Sequence, residues 1–361
     1  MITAPYLRWA KVRPRVTYDL AASGLQHVTT HELLGDMAAK DAFDLGGPND
    51  EGYAPLRAAI GARYGMTAAS VTIANGAAGA NFLACLGLLE PGDEALIERP
   101  AYDPLMAAVR AAGASVVHFD RSWAKGFALD PYVVRTALTP RTKLIVLSNA
   151  HNPSGALASC DALEQVGIMA EAIGARVLVD EVYADAQHDD SPPPMAAAHL
   201  GPVFVSTSSL TKAYGLAGLR CGWVLASPEL STRIRATRDI VDGSGAFPPE
   251  QLAVTAFAKL DELRARARAI LSRNLALVEG ALATHPRIEW LHPAAGTTAF
   301  PRIKGLDDTS TLVDRLIKEY DTVAVPGHFF QAPQHIRISF GGKTEMIAEG
   351  LARLDQALRT L

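Results

Sequence analysis

The sequence predicts an α/β protein. Its large domain holds a mostly parallel sheet of roughly seven strands between helices, and the two chain ends form a smaller α+β domain. Short apolar runs alternate with polar or glycine-rich loops and helix-length segments, which is typical of a sheet covered on both faces. The chain has 361 residues, more than one hydrophobic core usually serves. We therefore predict a large domain over 46–270 and a small domain from 1–45 and 271–361.

Composition argues against a protein that binds nucleic acid, spans a membrane or is secreted. Apolar residues make up 49% of the chain and charged residues 20%, with a net charge of −4, so nucleic acid and anionic membranes are not expected as partners. No apolar run approaches the roughly 20 residues that span a bilayer, and the first 16 residues lack the apolar core of a signal peptide. The three cysteines form no CxxC pair, which favours a reducing compartment and no metal site. We expect a cytoplasmic protein.

Helix starts are well marked along the first two thirds of the chain. Thr29 to Glu32 fits a capping box, which predicts a helix from about Thr30. A turn-rich link over 45–52 precedes a helix that stops at Tyr64-Gly65. Asp130-Pro131 and Ser227-Pro228 each combine an N-cap residue with proline at the first helical position.

Seven apolar runs are predicted as the strands of the large sheet: Val71–Ala74, Ala95–Ile97, Val116–Phe119, Leu144–Leu147, Val177–Val179, Val203–Val205 and Trp223–Leu225. Beyond them, apolar residues spaced mainly by three and four predict one long helix over about 251–282. Four short strands over 288–291, 298–303, 322–325 and 336–340, together with two helices, complete the predicted small domain.

Polar or glycine-rich segments follow five of the seven predicted strands: Asn75–Ala80, Pro100–Tyr102, His151–Gly155, Asp180–Tyr183 and Ser209–Lys212. In an open parallel sheet, ligands bind beyond the carboxyl ends of the strands. The sequence therefore predicts one ligand site assembled from these five segments.

With these segments in this order, and with Arg220 and Arg337 beyond them, the sequence resembles the class I/II aminotransferase family, pyridoxal 5′-phosphate (PLP) enzymes of fold type I. The matching motifs run from about Leu45 to Arg220 and resume at Arg337. The resemblance implies PLP as cofactor, an amino acid and a 2-oxo acid as substrates, and a homodimer with its sites at the subunit boundary.

The catalytic residues implied by the resemblance are Lys212, Asp180 and Tyr183. Lys212 matches the lysine that holds PLP as a Schiff base and then moves a proton at the substrate Cα. Asp180 resembles the carboxylate that keeps the pyridine nitrogen protonated, and Tyr183 and Asn152 resemble the residues that bind the cofactor O3′. Taken singly, Lys212 also fits a surface loop, Asp180 a helix N-cap and Asn152 a turn.

The same resemblance implies a cup for the cofactor phosphate, made by Gly76, Ala77, Ala78, Ser209 and Arg220. A helix N-terminus binds anions through its free N–H groups, and an arginine adds bidentate contacts. Tyr102 matches the residue whose ring stacks on the pyridine. A tight turn before a helix and a core aromatic are the simpler interpretations of these segments when each is taken alone.

The substrate is expected to contact Arg337, Asn152 and Gly46. Arg337 lies in an alternating strand and resembles the arginine that binds the α-carboxylate, although an exposed strand arginine has the same pattern. The substrate side chain is expected to depend on loops over 6–9, 45–50 and 243–248. No second arginine is evident for a dicarboxylic substrate, which disfavours an aspartate specialist.

Two departures from the family pattern bear on phosphate binding. Gly47 stands where many members carry a tyrosine that reaches the neighbouring subunit's phosphate, and Ser-Leu-Thr precedes Lys212 where Ser-x-Ser is commoner. Both leave the cofactor chemistry in place.

An aminotransferase is the first functional hypothesis. A PLP-dependent lyase or cyclase, catalysing C–S β-elimination or amino-acid cyclisation, shares every cofactor residue and remains the alternative. A PLP-fold regulator needs a DNA-binding module, for which the first 45 residues are too short and insufficiently basic. A nucleotide-binding dehydrogenase is disfavoured because no predicted strand is followed by GxGxxG.

Overall fold

The computed structural model describes residues 2–37 and 42–361. The helices are α1 Pro5–Val12, α2 Thr30–Leu34, α3 Ala54–Arg63, α4 Gly76–Leu88, α5 Asp103–Ala111, α6 Pro131–Ala137, α7 Cys160–Ala172, α8 Pro228–Val241, α9 Phe247–Ala258, α10 Leu260–Leu282, α11 Ser310–Tyr320 and α12 Thr344–Arg359. The strands are β1 Tyr18–Asp19, β2 Val71–Asn75, β3 Glu94–Arg99, β4 Ser115–Asp120, β5 Thr142–Ser148, β6 Arg176–Asp180, β7 Phe204–Ser209, β8 Cys221–Leu225, β9 Ile288–Glu289, β10 Thr298–Ala299, β11 Arg302–Ile303, β12 Thr322–Val323, β13 Val325–Pro326 and β14 Ile336–Ser339.

All seven predicted strands of the large sheet are present and lie in the order β2-β8-β7-β6-β5-β3-β4. Strand β8 runs antiparallel to both of its neighbours, and the other neighbouring pairs are parallel. Successive residues of β5 alternate between two buried clusters, since Leu144 and Val146 pack beneath α4, α5 and α8 while Ile145 and Leu147 face α6 and α7. The prediction of a mostly parallel sheet between helices is confirmed.

Strands β7 and β8 form a hairpin, and its loop is closed at both ends. Ser209 lies opposite Gly222 in the register, and the Leu210 N–H donates to the Cys221 carbonyl at 3.0 Å. Lys212 and Arg220 therefore belong to one loop whose first and last residues are neighbours in the sheet.

The capping residues in the sequence predicted several helix starts correctly. The capping box at α2 is present, with the Thr29 side chain accepting from Glu32 and the Glu32 side chain accepting from Thr29. The side chains of Asp130 and Ser227 cap α6 and α8, and each helix has proline in its first turn.

The single long helix predicted over about 251–282 is wrong. Lys259, with φ −116° and ψ 16°, separates α9 from α10. Helix α9 packs on α3 and β8, whereas α10 packs on α12, so the break lies where the chain changes partners. No glycine or proline marks Lys259, and the apolar spacing continues across it.

The predicted strand over 298–303 is also interrupted, because Pro301 has no N–H to donate to a ladder. Strand β10 pairs with β14, and β11 pairs with β9. The run over 322–325 divides in the same way into β12, which pairs with β1, and β13, which pairs with β14.

The N-terminal strand β1 joins the C-terminal part through β12. The domain boundary predicted at residue 270 stays a prediction, and it falls inside the continuous helix α10. Among the residues described, no helix has the length and apolar character needed to cross a bilayer.

Candidate active site

The five predicted segments meet at the carboxyl end of the sheet. Asp180 ends β6 and is buried. Its carboxylate accepts from the Asn81 amide at 2.8 Å and from the Val182 N–H at 3.1 Å. Burial raises the pKa of Asp180, while Asn81, Val182 and the charge of Lys212 oppose that rise. Within the described ranges, no cation lies within 4.0 Å of this carboxylate, so its charge is balanced by dipoles and one more distant ammonium group.

Lys212 lies in the β7–β8 loop, with its amine turned toward the same region as Asp180. The Lys212 Nζ donates to the Ser23 Oγ at 2.8 Å. Burial lowers the pKa of the Lys212 amine to about 8. The charge of Arg337 adds to this effect, and Tyr6 and Asp180 oppose it. At pH 7 such an amine is still mostly protonated, but its neutral fraction is far larger than that of an ordinary lysine, which favours a role as a proton-transferring base.

Tyr183 and Asn152 are the next two predicted site residues, and each makes a hydrogen bond within the site. The Tyr183 hydroxyl donates to the Ser23 carbonyl at 3.1 Å, and burial raises the pKa of Tyr183. The Asn152 side-chain oxygen accepts from Arg337 Nη1 at 3.2 Å. Asn152 therefore links the strand end after β5 to the arginine of β14.

The segments predicted to form a phosphate cup are next to one another. Helix α4 begins at Gly76, whose φ is +72°, and a Cβ at this position would lie 2.4 Å from Arg220 Nη2. The Arg220 guanidinium donates to the Asn75 carbonyl at 3.1 Å, and the Ser209 Oγ accepts from the Thr211 N–H at 3.2 Å. Ala77 and Ala78 follow in the first turn of α4, so free N–H groups, a hydroxyl and a guanidinium converge.

Arg337 is fully buried, contrary to the alternative of an exposed strand arginine. Its Nη2 donates to the Tyr6 hydroxyl at 2.5 Å and to the Ala21 carbonyl at 3.4 Å. The rings of Tyr6 and Phe330 lie 5.1 and 4.8 Å from the guanidinium carbon. In the part of the chain that the structure describes, this guanidinium bonds only to neutral groups, so no carboxylate there competes with an anionic ligand for it.

Two further predicted residues differ in their surroundings. The Tyr102 ring is partly buried, and its centroid is 5.8 Å from that of Tyr6. Gly46 lies in an exposed stretch, with no atom within 4 Å of the position that a Cβ would take; its contact with a substrate stays a prediction. At the neighbouring Gly47, a Cβ would lie 2.2 Å from the Phe247 ring. With the Phe247 ring in this position, Gly47 has no room for a larger side chain.

Sequence reasoning missed three residues of the site: Ser23, Asn81 and Glu98. It included Tyr6 in a loop over 6–9 that was expected to influence the substrate side chain, but Tyr6 lies in helix α1. Asn81 lies on α4 between Asp180 and Thr207, whose hydroxyl donates to the Asn81 oxygen at 2.6 Å. A polar residue one turn beyond a glycine loop was the available signal for it. Ser23 carried no local signal, because it is far from Lys212 and Tyr183 along the chain.

Glu98 supports the strand end that carries Asn152. Its carboxylate accepts from the Ser148 N–H at 2.7 Å and from the Ser148 hydroxyl at 2.6 Å, and it pairs with the buried Arg121 at 2.8 Å. The Asn152 N–H in turn donates to the Ser148 Oγ at 2.9 Å. This buried network fixes the position of the Asn152 backbone.

The residues fit pyridoxal phosphate. The Gly76–Arg220 contact leaves a cradle that a Cβ would fill, Lys212 supplies a half-buried amine of lowered pKa, and Asp180 supplies a buried carboxylate held by the Asn81 amide and the Val182 N–H. Gly76 and Arg220 would hold the phosphate, Lys212 the aldehyde carbon and Asp180 the ring nitrogen.

Comparison with known proteins agrees with this chemistry. The model of the family "Aminotransferase class I and II" matches residues 22–354. Capreomycidine synthase of Streptomyces vinaceus is 31% identical over 99% of this chain and 94% of its own length. A probable N-succinyldiaminopimelate aminotransferase of Mycobacterium tuberculosis is 30% identical over 88% of this chain and 87% of its own.

Solved structures show the same fold. A PLP-dependent aminotransferase from Streptococcus suis is 28% identical and aligns with a TM-score of 0.92, covering 99% of this chain and 97% of that chain. The aspartate aminotransferase of Thermus thermophilus with maleate aligns with a TM-score of 0.86 at 22% identity, over 99% of this chain and 95% of that one.

Proposed function

The chain belongs to the class I and II aminotransferase family, and we propose that it transfers the amino group of an amino acid to a 2-oxo acid, with Lys212 holding pyridoxal phosphate covalently. The observation that carries this proposal is that the Lys212 amine and the Tyr183 hydroxyl both bond to Ser23, while the buried Asp180 carboxylate, three residues before Tyr183, accepts from the Val182 N–H. Family membership supports PLP as the cofactor of this enzyme.

When bound, PLP accepts the electron pair left on the substrate Cα as a proton departs. The Asp180 carboxylate stabilises positive charge at the ring nitrogen, because a buried carboxylate interacts strongly with a nearby cation. Tyr183 and Asn152 supply hydrogen-bonding groups beside it, and Tyr102 supplies an aromatic face.

Substrate orientation falls to Arg337. Its planar guanidinium is buried between two rings and matches a carboxylate bidentately. Fixing the α-carboxylate fixes the direction of the Cα–H bond, and such positioning is worth several kcal/mol, with an upper range of about 7–11 kcal/mol in well-oriented reactions. The neutral Lys212 amine then takes the Cα proton and returns it.

The test is direct. Purified protein is expected to be yellow with PLP, and borohydride should fix the cofactor to the peptide that contains Lys212, as read by mass spectrometry. A colourless chain that takes up no added PLP contradicts the proposal. A screen of single amino acids for bleaching of the visible band then identifies the amino donor, and amination of an added 2-oxo acid demonstrates transfer.

Similarity over nearly the full chain to a protein named capreomycidine synthase favours one second candidate, a PLP-dependent cyclase or lyase using the same residues. Such an enzyme converts its amino acid without a 2-oxo acid. Ammonia and pyruvate released from a cysteine-type substrate, or a cyclic amino acid formed with no acceptor present, would identify it.

We also propose that the chain is a cytoplasmic homodimer. Leu45 is 87% exposed and Ile240 81% exposed. Their segments are joined where the Asn49 side chain donates to the Gly245 carbonyl at 2.8 Å. Exposed apolar side chains beside a binding site are typical of an interface. Light scattering should give twice the chain mass, and Ile240→Glu should reduce it; a fully active monomer would overturn the proposal.

A further inference from the structure

Ser23 makes three hydrogen bonds to residues of the candidate active site. Its hydroxyl accepts from the Lys212 amine at 2.8 Å. Its carbonyl accepts from the Tyr183 hydroxyl at 3.1 Å and from the Thr297 hydroxyl at 3.0 Å. One residue therefore contacts both the amine that moves the proton and the phenol predicted to bind the cofactor.

The segment that carries Ser23 is held in place at both ends. We name it the bridging segment, residues 20–25. The Leu20 carbonyl accepts from the Ser339 N–H at 2.7 Å, and the Leu25 N–H donates to the Lys212 carbonyl at 3.2 Å. The bridging segment thus joins β14 to the lysine loop, and its backbone cannot shift without breaking bonds to both.

The same segment also contacts the substrate arginine, since the Ala21 carbonyl accepts from Arg337 at 3.4 Å. Ala21 and Ser23 are two residues apart, so one short stretch of chain contacts both the Arg337 guanidinium and the Lys212 amine. The bridging segment therefore sets the distance between the Arg337 guanidinium and the Lys212 amine, the two groups that must act on one amino acid.

We propose that Ser23 is a positioning residue for Lys212, whose hydroxyl holds the free amine in the direction of the substrate Cα. The inference rests on the proposed function. A lysine side chain has four rotatable bonds and loses about 2 kcal/mol of rotamer freedom when ordered. The hydroxyl supplies an acceptor for the ammonium form, and a hydrogen bond to a charged donor is stronger than one between neutral groups.

The first test uses the full-length protein before PLP is added. Competitive acetylation compares the reactivity of the Lys212 amine with that of the surface residue Lys125. In Ser23→Ala the Lys212 amine loses its acceptor, and it should be acetylated severalfold faster than in the unaltered chain. Ser23→Thr, which keeps a hydroxyl, should restore the original rate.

The matched control is Ser339→Ala. It also deletes a serine hydroxyl, one that is buried, donates to the Thr297 carbonyl at 3.3 Å and makes no hydrogen bond to Lys212. Its acetylation rate should equal that of the unaltered chain. Equal rates for Ser23→Ala and the unaltered chain, or the same increase in Ser339→Ala, would overturn the proposal. Ser23→Cys, which preserves size and weakens the acceptor, replaces Ser23→Ala if that variant fails to fold.

The second test uses the PLP-loaded enzyme. Ser23→Ala should lower kcat about tenfold, the effect of losing one hydrogen bond of ordinary strength, while KM for the amino acid stays within about twofold because Arg337 is intact. A rise in KM with unchanged kcat would show that Ser23 serves substrate binding instead. Failure of the proposed function is distinguishable, since the unaltered chain would then lack aminotransferase activity.

Discussion

The two halves of the site are built in different ways. The cofactor half consists of strand ends of one sheet: Asp180 closes β6, Ser209 closes β7, and Lys212 follows in the hairpin loop. The substrate half joins Tyr6 of α1 to Arg337 of β14, and these two residues lie 331 positions apart along the chain. Cofactor residues thus have positions set by sheet register, whereas substrate residues depend on long-range packing.

This difference predicts that substitutions in the two halves change different kinetic parameters. A change in the cofactor half should lower kcat for every amino acid, because all substrates use the same ring chemistry. A change in the substrate half should raise KM and leave cofactor binding intact. The variants below test that division, from the largest expected effect to the smallest.

Asp180→Asn should lower kcat about 10²- to 10³-fold, the usual result of removing one preorganised charge from an active site, while part of the PLP stays bound. Turnover and the visible spectrum are the measurements. Asp185→Asn is the matched control, since Asp185 is also buried but pairs with Arg63 at 2.8 Å. Near-normal turnover of Asp180→Asn would show that the ring nitrogen has another partner.

Arg337→Lys should raise KM for the amino acid about 10- to 100-fold, because a point charge replaces a bidentate fork. PLP uptake should not change. Initial rates against amino-acid concentration give KM, and Arg302→Lys on the partly exposed β11 provides the control. If Arg337→Lys loses PLP while KM stays unchanged, then Arg337 serves cofactor binding, and the division of the site into two halves is wrong.

Tyr6→Phe deletes the hydroxyl that accepts from Arg337 and keeps the ring beside the guanidinium. Since a single hydrogen bond contributes about 1 kcal/mol net, we expect KM for the amino acid to rise about fivefold while kcat and the visible spectrum stay constant. Initial rates and an absorbance scan measure the three quantities. A fall in kcat at constant KM would instead assign Tyr6 to the cofactor half.

Glu181 gives the smallest effect, on stability. Burial raises the pKa of Glu181 to about 8, and repulsion from Asp185 and Asp180 adds to this. The pKa of Glu181 is higher in the folded chain than in the unfolded chain. The stability that the neutral Glu181 carboxyl contributes is therefore complete below about pH 4.5 and is lost as the pH rises to about 8. Glu181→Gln should therefore gain Tm relative to the unaltered chain between about pH 6 and pH 8, and thermal unfolding at both pH values measures it. An equal Tm difference at the two pH values would contradict the assignment.

Much of the cofactor half can be predicted from the sequence. Apolar runs mark strands, and in a parallel sheet the residues after them share one edge, so the segments that carry Asp180, Asn152 and Lys212 are predicted to meet. The role predicted for each residue comes from the family pattern. Arg337 is identified through its place in the family pattern. Its burial, in contrast, follows from the packing of β14, which is covered on both faces.

The remainder depends on contacts that local sequence does not encode. Tyr6 and Ser23 reach the site because β1 pairs with β12 at the other end of the chain, and no spacing of residues announces that pairing. The break at Lys259 has the same origin, since the two helices on either side pack against different partners. Local propensity predicts the secondary structure of one segment, whereas the positions of Tyr6 and Ser23 and the helix break at Lys259 depend on which other elements those segments pack against.

The closed hairpin loop between β7 and β8 has a consequence for engineering. Since Ser209 and Gly222 are held opposite each other, a residue inserted between them lengthens the loop and leaves the register of the two strands unchanged. The length of the chain between Lys212 and Arg220 can therefore be altered by engineering while the sheet that supports both residues is kept.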